Sequence, residues 1–257
     1  MPSVWIADAS TPRVDVALNH PTCGAAHYQV PIPAAAQLEN QNESKFVVLE
    51  SDTGVEWDFF KMTSPGVRPL SSGADCPATS SWAATVVQRH DLGWLGDGLG
   101  YSVRGSRTFE GAGTIRPRDT AMPPGSTWDH ALALAYPLTS ADDVHPCMVW
   151  PAQGCDGTHT GPTAIPEGAR IQLDPSLDCS TWPSLSSREW QRQLCRTMQR
   201  FGMIVIDTGQ ALINEYSGSY DVHPAGYHWP WEADRSSLLP ADLLPHLRVL
   251  DWTRWTG

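Results

Sequence analysis

The sequence predicts an all-β protein, an antiparallel β-sandwich of jelly-roll or concanavalin-like type with one packed α-helix near 187–201. Three observations lead there. Twenty-two prolines and 21 glycines are spread through 257 residues and interrupt short apolar runs at frequent intervals, the pattern of many short strands joined by turns. No sustained alternation of strand and helix suggests a parallel sheet. One segment alone carries convincing helical periodicity. The length suits a single all-β domain spanning 1–257 and is enough to bury a substantial core without staples.

The predicted strands run over 46–51, 55–62, 81–88, 111–116, 130–136, 147–151, 170–173, 203–207 and 211–215. The first two are joined by Asp52-Thr53-Gly54. There Gly54 supplies the positive φ of a three-residue hairpin loop, and Asp52 accepts backbone hydrogen bonds. The helix is read from "SSREWQRQLCRTMQRFG". Ser186 and Glu189 have capping-box spacing. Trp190, Leu194, Met198 and Phe201 recur at helical intervals, and Gly202 fits the left-handed position just past the end. The following "MIVID" is too short for a helix and reads as a buried strand.

Six cysteines occur, none in a CxxC pair, and they allow fifteen connectivities. Cys147 with Cys155 and Cys179 with Cys195 are plausible local pairs, which leaves Cys23 with Cys76. An even count without metal spacing favours an oxidising compartment, so a secreted, extracellular chain is expected. The longest apolar runs are too short for a membrane span. Formal net charge is −11, which disfavours nucleic acid, anionic membranes and polyanionic substrates. A monomer without cofactor or metal is expected: His223 and His228 lie five apart with no companion ligands.

Four carboxylates fall within "ESDTGVEWD": Glu50, Asp52, Glu56 and Asp58. Glu50, Asp52 and Glu56 approach the E-x-D-x-x-E signature of concanavalin-like glucanases. That signature needs one continuous strand, and here a turn interrupts it with one residue too many. Glu56 and Asp58 remain. Side chains two apart share one strand face, roughly 6.5–7 Å apart, a separation at which two carboxyls can divide acid and base roles in glycoside hydrolysis. Val55, Trp57 and Phe59 form the core face, so Glu56, Asp58 and Phe60 face either solvent or a cleft. His130 heads the strand in "WDHALALAYP" beside Trp128, as a core histidine or a general acid/base near an aromatic platform. Arg116 in "GTIRP" is placed to pair with a carboxylate or hold substrate. Asp156 and His159 lie in the Gly-rich loop "GCDGTHTG", and Arg170 and Gln172 share a strand face. Twelve tryptophans are many for this length. Trp229 and Trp231 in "YHWPW" offer flat rings of the kind that cover sugar faces.

In order, the motifs "VVLESDTGVEWDFFKM", "GAGTIRP", "DHALALAYP", "WPAQGCDG", "PEGARIQLDPSLD" and "MQRFGMIVIDTG" resemble a family of mostly uncharacterised secreted bacterial proteins, rich in actinobacterial members. The resemblance covers roughly residues 45–215 and implies acidic residues of interest at Asp52 and Asp58, with Arg116, His130 and the Asp156-Gly157 pair. It also implies a secreted β-sandwich with a carbohydrate role. Together these readings point to a glycan-active enzyme, first a hydrolase of a neutral β-glucan. Asp58, His130, Glu56 and Asp156 are its candidate catalytic residues. Arg116, Trp128, Phe60, Arg170, Gln172, Trp229 and Trp231 are candidate substrate contacts. A polysaccharide lyase and a non-catalytic carbohydrate-binding module stay open as alternatives.

Overall fold

Apolar runs bounded by turn residues become strands throughout the computed structural model. It describes residues 3–19, 26–38, 44–65, 81–91, 100, 102–185, 188–209, 212–213 and 239–254. The described residues fall into two units. One runs to Arg104 and includes Thr108–Ala112; the other holds Gly105–Arg107 and the described residues from Gly113 onward.

The first unit contains β1 (Ser3–Ala7), β2 (Arg13–Leu18), β3 (Ala26–Pro31), β4 (Phe46–Glu50), β5 (Glu56–Phe60), β6 (Trp82–Ala84) and β7 (Val86–His90). They form two sheets, ordered β1-β4-β5-β7 and β3-β2-β6. The strand β4, "FVVLE", is buried along its whole length, as an apolar run with few polar interruptions requires. One apolar cluster draws Trp5, Phe46, Val48, Trp57 and Phe59 from the first sheet and Val16 and Val30 from the second. The Phe46 and Phe59 rings meet edge-on at 6.0 Å. The predicted hairpin is present: Gly54 has φ of 76°, and Glu50 N–H donates to Val55 O at 2.8 Å. Asp52 reaches further than its own turn, accepting Ala9 N–H at 2.5 Å.

The second unit contains α1 (Pro117–Thr120), β8 (Leu132–Tyr136), β9 (Arg170–Leu173), α2 (Glu189–Arg200), β10 (Met203–Thr208), β11 (Leu212–Ile213) and β12 (Leu247–Val249). Its sheet has the order β11-β8-β10-β9-β12. The helix α2 buries Trp190, Leu194, Cys195 and Met198 and packs on β9. Gly202 follows it with φ of 70°. Disulfides join Cys147 to Cys155 and Cys179 to Cys195, as the local spacing suggested. Two disulfides fit an extracellular or otherwise oxidising environment. No helix among the described residues is long and apolar enough to cross a membrane.

The protein is β-rich, but its three sheets are mixed rather than antiparallel: β1 with β4, β2 with β6 and β8 with β10 run parallel. The 111–116 run is not a strand. A turn at Gly113, φ 70°, delivers Arg116 as the N-cap of α1. The 147–151 run makes a single bridge, Met148 to Glu167, because the disulfide closes it into a loop. The helix α2 starts at Glu189 with Arg188 as N-cap; the Ser186 half of the expected capping box lies outside the described residues. So do Cys23, Cys76, His223, His228, Trp229 and Trp231.

Candidate active site

The four carboxylates of the opening hairpin separate into different roles. Glu50 accepts Trp57 Nε1–H at 2.7 Å and pairs with Arg13 at 3.0 Å, while Asp52 serves the turn. Glu56 and Asp58 point away from the Trp57–Phe59 face, yet neither opens to solvent: both are 0% exposed. Glu56 Oε1 accepts Gly111 N–H at 2.7 Å. Asp58 Oδ2 accepts Ser102 Oγ–H at 2.5 Å and Glu110 N–H at 3.2 Å, with His90 Nε2 at 3.4 Å. The remaining oxygens, Glu56 Oε2 and Asp58 Oδ1, meet no other donor. Burial, and then the charge of Asp58, push the Glu56 carboxyl well above its ordinary range, so Glu56 carries a proton that it shares with Asp58. Beside this pair, Glu110 is held ionised. Burial alone would raise it, but Lys45 at 3.2 Å and Arg104 at 3.1 Å outweigh that effect. The His90 ring lies 3.9 Å from Phe109. The Glu-Asp face is therefore the inner wall of a closed polar network rather than solvent or the floor of an open cleft.

A second carboxyl pair stands in the other unit. Asp156 follows the disulfide at Cys155 and is exposed. Glu167 sits between Pro166 and Gly168, where its backbone bridges Cys147 and Val149, and it is 0% exposed. Glu167 Oε1 accepts Asp156 N–H at 3.1 Å, and the two carboxyls hydrogen-bond to each other. Asp156 Oδ1 accepts Thr208 Oγ1–H at 2.6 Å. Asp207, beside Thr208 at the end of β10, accepts Gly105 N–H at 3.4 Å. Burial and the hydrogen bond to Asp156 push Glu167 up to about 9. For Asp156, burial would also raise the carboxyl, but hydrogen bonds from Glu167 and Thr208 outweigh it and hold Asp156 below the ordinary aspartate value. A Cβ on Gly105 would lie 2.6 Å from Asp156 Oδ1 and 3.0 Å from Glu167 Oε2, so only a glycine fits against the pair undisturbed.

The remaining expected residues divide as follows. Glu56 and Asp58 share the closed network; the exposed Asp156 pairs with the buried Glu167. His130 is in neither. Its Nε2 faces Asp119 Oδ2 at 3.1 Å, and its Nδ1 faces the Ala131 carbonyl at 2.9 Å. Asp119, Asp129 and His130 are the one set among the described residues whose ligand atoms lie within 4.8 Å of one another. Arg118 already supplies the positive charge there, 3.7 Å from Asp119 and 3.4 Å from Asp129. Arg116 donates its backbone N–H to Asp119 at 2.7 Å and caps α1. Trp128 is 0% exposed and belongs to the core, not to an aromatic platform. Arg170 and Gln172 do share a face, but they donate to the carbonyls of Phe201 and Gln199, closing the C-terminal end of α2. Phe60 is half-buried, with Lys61 Nζ 5.5 Å from its ring centre. His159 faces Thr163 Oγ1 at 3.3 Å.

Sequence reasoning passed over Glu167, Asp207 and Thr208. A signal for each existed: an acidic residue locked between proline and glycine in "IPEGA", and an aspartate ending the buried run "MIVID". Comparisons with protein-family models, curated proteins and solved structures find no match.

Proposed function

We propose that the protein is a secreted hydrolase of a neutral glycan, of the β-glucan class, with Glu167 as general acid and Asp156 as general base. The observation that carries this reading is the opposed protonation of two touching carboxyls, one pushed up to about 9 and the other held low. Environments that drive paired carboxyls apart assign one as acid and one as base. At neutral pH Glu167 holds a proton to give to the glycosidic oxygen. Asp156 is ionised and takes a proton from the attacking water, while the Thr208 hydroxyl keeps its carboxylate oriented. In glycosidases the two carboxyls stand about 5–9.5 Å apart, so an entering sugar must part this pair. The charge of −11 and the twelve tryptophans favour a neutral, ring-bearing substrate, as does the carbohydrate role implied by the resemblance of the motif set to a mostly uncharacterised family of secreted bacterial proteins. In this reading the two sheets of the first unit form a small β-sandwich around their shared apolar cluster.

The lyase alternative needs arginines free to neutralise a uronate, whereas Arg104, Arg118 and Arg170 have internal partners. A second reading comes from the contact of the two carboxyls. A dyad sharing one proton also suits water attack on a peptide carbonyl.

One substrate panel separates these readings: neutral glucans followed by reducing ends, uronate polymers by absorbance of unsaturated products, and an unfolded protein by peptide release. Reducing ends should appear, and Glu167→Gln should slow their release at least roughly a hundredfold with the fold intact. The alkaline limb of kcat/KM should fall near pH 9, where Glu167 loses its proton. Unsaturated uronates, released peptides or binding without turnover would each replace the hydrolase reading with the corresponding alternative.

A further inference from the structure

We infer that Thr139 is a positioning residue of the Asp156–Glu167 pair, acting through the hydroxyl of Thr208. Chemistry fixes the direction of each hydrogen bond in the chain. Burial would raise Asp156, but hydrogen bonds from Glu167 and Thr208 hold it below the ordinary aspartate value. At neutral pH its carboxylate therefore only accepts. The Thr208 hydroxyl has one proton and gives it to Asp156 Oδ1 at 2.6 Å. Thr208 Oγ1 also meets Thr139 Oγ1 at 2.5 Å. With its own proton already given, Thr208 can only accept there, so Thr139 is the donor. Thr139 is 0% exposed, and no solvent competes for its proton. Each donated bond polarises the next, so Thr139 strengthens the bond that Thr208 gives to the carboxylate.

The backbone holds Thr139 against the loop that joins the two carboxyls. His159 N–H donates to Thr139 O at 2.8 Å, and Ser140 N–H donates to Ile165 O at 3.0 Å. The Thr139–Ser140 segment thus pairs with both arms of the loop between Asp156 and Glu167. Gly157 lets the loop come this close. A Cβ there would collide with the Ser140 carbonyl oxygen and lie 2.8 Å from the carbonyl carbon of Thr139. The titratable groups that hydrogen-bond to Asp156 are Glu167, from the far end of the loop, and Asp207, from the end of β10. Neither brings a positive charge, which leaves hydrogen-bond donors to keep the aspartate ionised.

This inference rests on the reading of Asp156 as the base, but its test needs no substrate and so stands apart from turnover. Carbon-13 NMR titration of the side-chain carboxyls in the full chain reads the lower step of the coupled pair. Losing a donor to the carboxylate favours its protonated form, so the step moves to higher pH. Thr208→Val should raise it by roughly one pH unit or more, the scale of one hydrogen bond to a charged group. Thr139→Val keeps the shape but not the donor and should raise it by about 0.3 unit. Thr139→Ser keeps the hydroxyl and should titrate like wild type. If Thr139→Val fails to fold, Thr139→Ala removes the same donor and should give the same upward shift. The double valine variant should match Thr208→Val alone, because Thr139 acts only through Thr208. The acid limb of kcat/KM on a glucan should move in the same direction. A step unmoved or lowered by loss of the Thr139 hydroxyl, a Thr139→Ser variant that titrates like Thr139→Val, or shifts that simply add in the double variant would each overturn it.

Discussion

Glu56 and Asp58 show how a single proton decides what a residue is for. In the sequence they are two acids on one strand face, and an acid pair at that spacing reads as chemistry. In the structure both are sealed, and the shared proton lets them stay buried without a net second charge, which would otherwise be costly. The consequence is a definite dependence of stability on pH. Below the ordinary glutamate value both the folded and the unfolded chain hold the Glu56 proton, so the contribution is fully present. Above it the unfolded chain ionises while the folded chain does not, so stability falls until the raised folded value is passed. The slope of that loss is at most about 1.4 kcal/mol per pH unit for one proton. Glu56→Gln mimics the protonated acid, keeps an acceptor for Gly111 N–H and offers Asp58 a donor. Urea denaturation at pH 4.5 and pH 8 should find the variant close to wild type at the lower pH and more stable than wild type at the higher one. Equal stabilities at pH 8 would mean that Glu56 is ionised in the fold. Much of the polar chemistry was legible as residue type, but not as assembly. Asp156 was singled out from its glycine-rich loop. Glu167 was not, because its partner lies eleven residues away at the other end of a loop, and spacing alone carries no sign that the two ends meet.

At the scale of elements, local pattern was a good guide wherever one segment sets its own shape. The hairpin at Gly54 and the helix before Gly202 were both readable, since a positive φ is a one-residue requirement. So were β4, β5, β8, β9 and β10, whose apolar runs bury themselves. Pairing direction was not readable. The parallel partnership of β8 with β10 joins segments some seventy residues apart, across β9 and α2, and nothing in either strand alone encodes its neighbour. The strands β1 to β3 were missed because they are short apolar runs in a proline-interrupted stretch, and their burial depends on pairing with later strands. The C-terminal end of α2 shows how such elements lock together. Arg170 and Gln172 take two carbonyls that the helix leaves without partners, and Gly202 turns the chain directly into β10. A Cβ at Gly202 would sit 2.7 Å from Ile171 O with φ at +70°. Gly202→Ala should therefore cost about 1–3 kcal/mol, seen as a lower urea midpoint. An unchanged midpoint would mean that the turn relaxes freely and the helix end is not a fixed joint.

Across the whole molecule, stabilisation is distributed unevenly. Both disulfides seen among the described residues belong to the second unit, one closing the loop that carries Trp150 and the other tying α2 to the preceding loop. The first unit relies, among its described residues, on an apolar cluster and the sealed network around Glu56, Asp58 and Glu110. Cross-links act largely by restricting the unfolded chain. For a separation of 16 residues, the loop-closure relation gives roughly 3 kcal/mol. Replacing Cys179 and Cys195 together with alanine should remove about that much from the second unit alone. Hydrogen exchange followed by mass spectrometry separates the two units within one sample. Protection of amides in α2, β9 and β10 should drop by about two orders of magnitude, the factor that 3 kcal/mol represents, while β4 and β5 keep theirs. The double replacement leaves no unpaired thiol to form a wrong bridge, and it removes only small side chains from a site already buried beside Leu194 and Met198. An equal loss of protection in β4 and β5 would show that the chain opens as one cooperative body, and the division into two units would then describe its geometry but not its energetics.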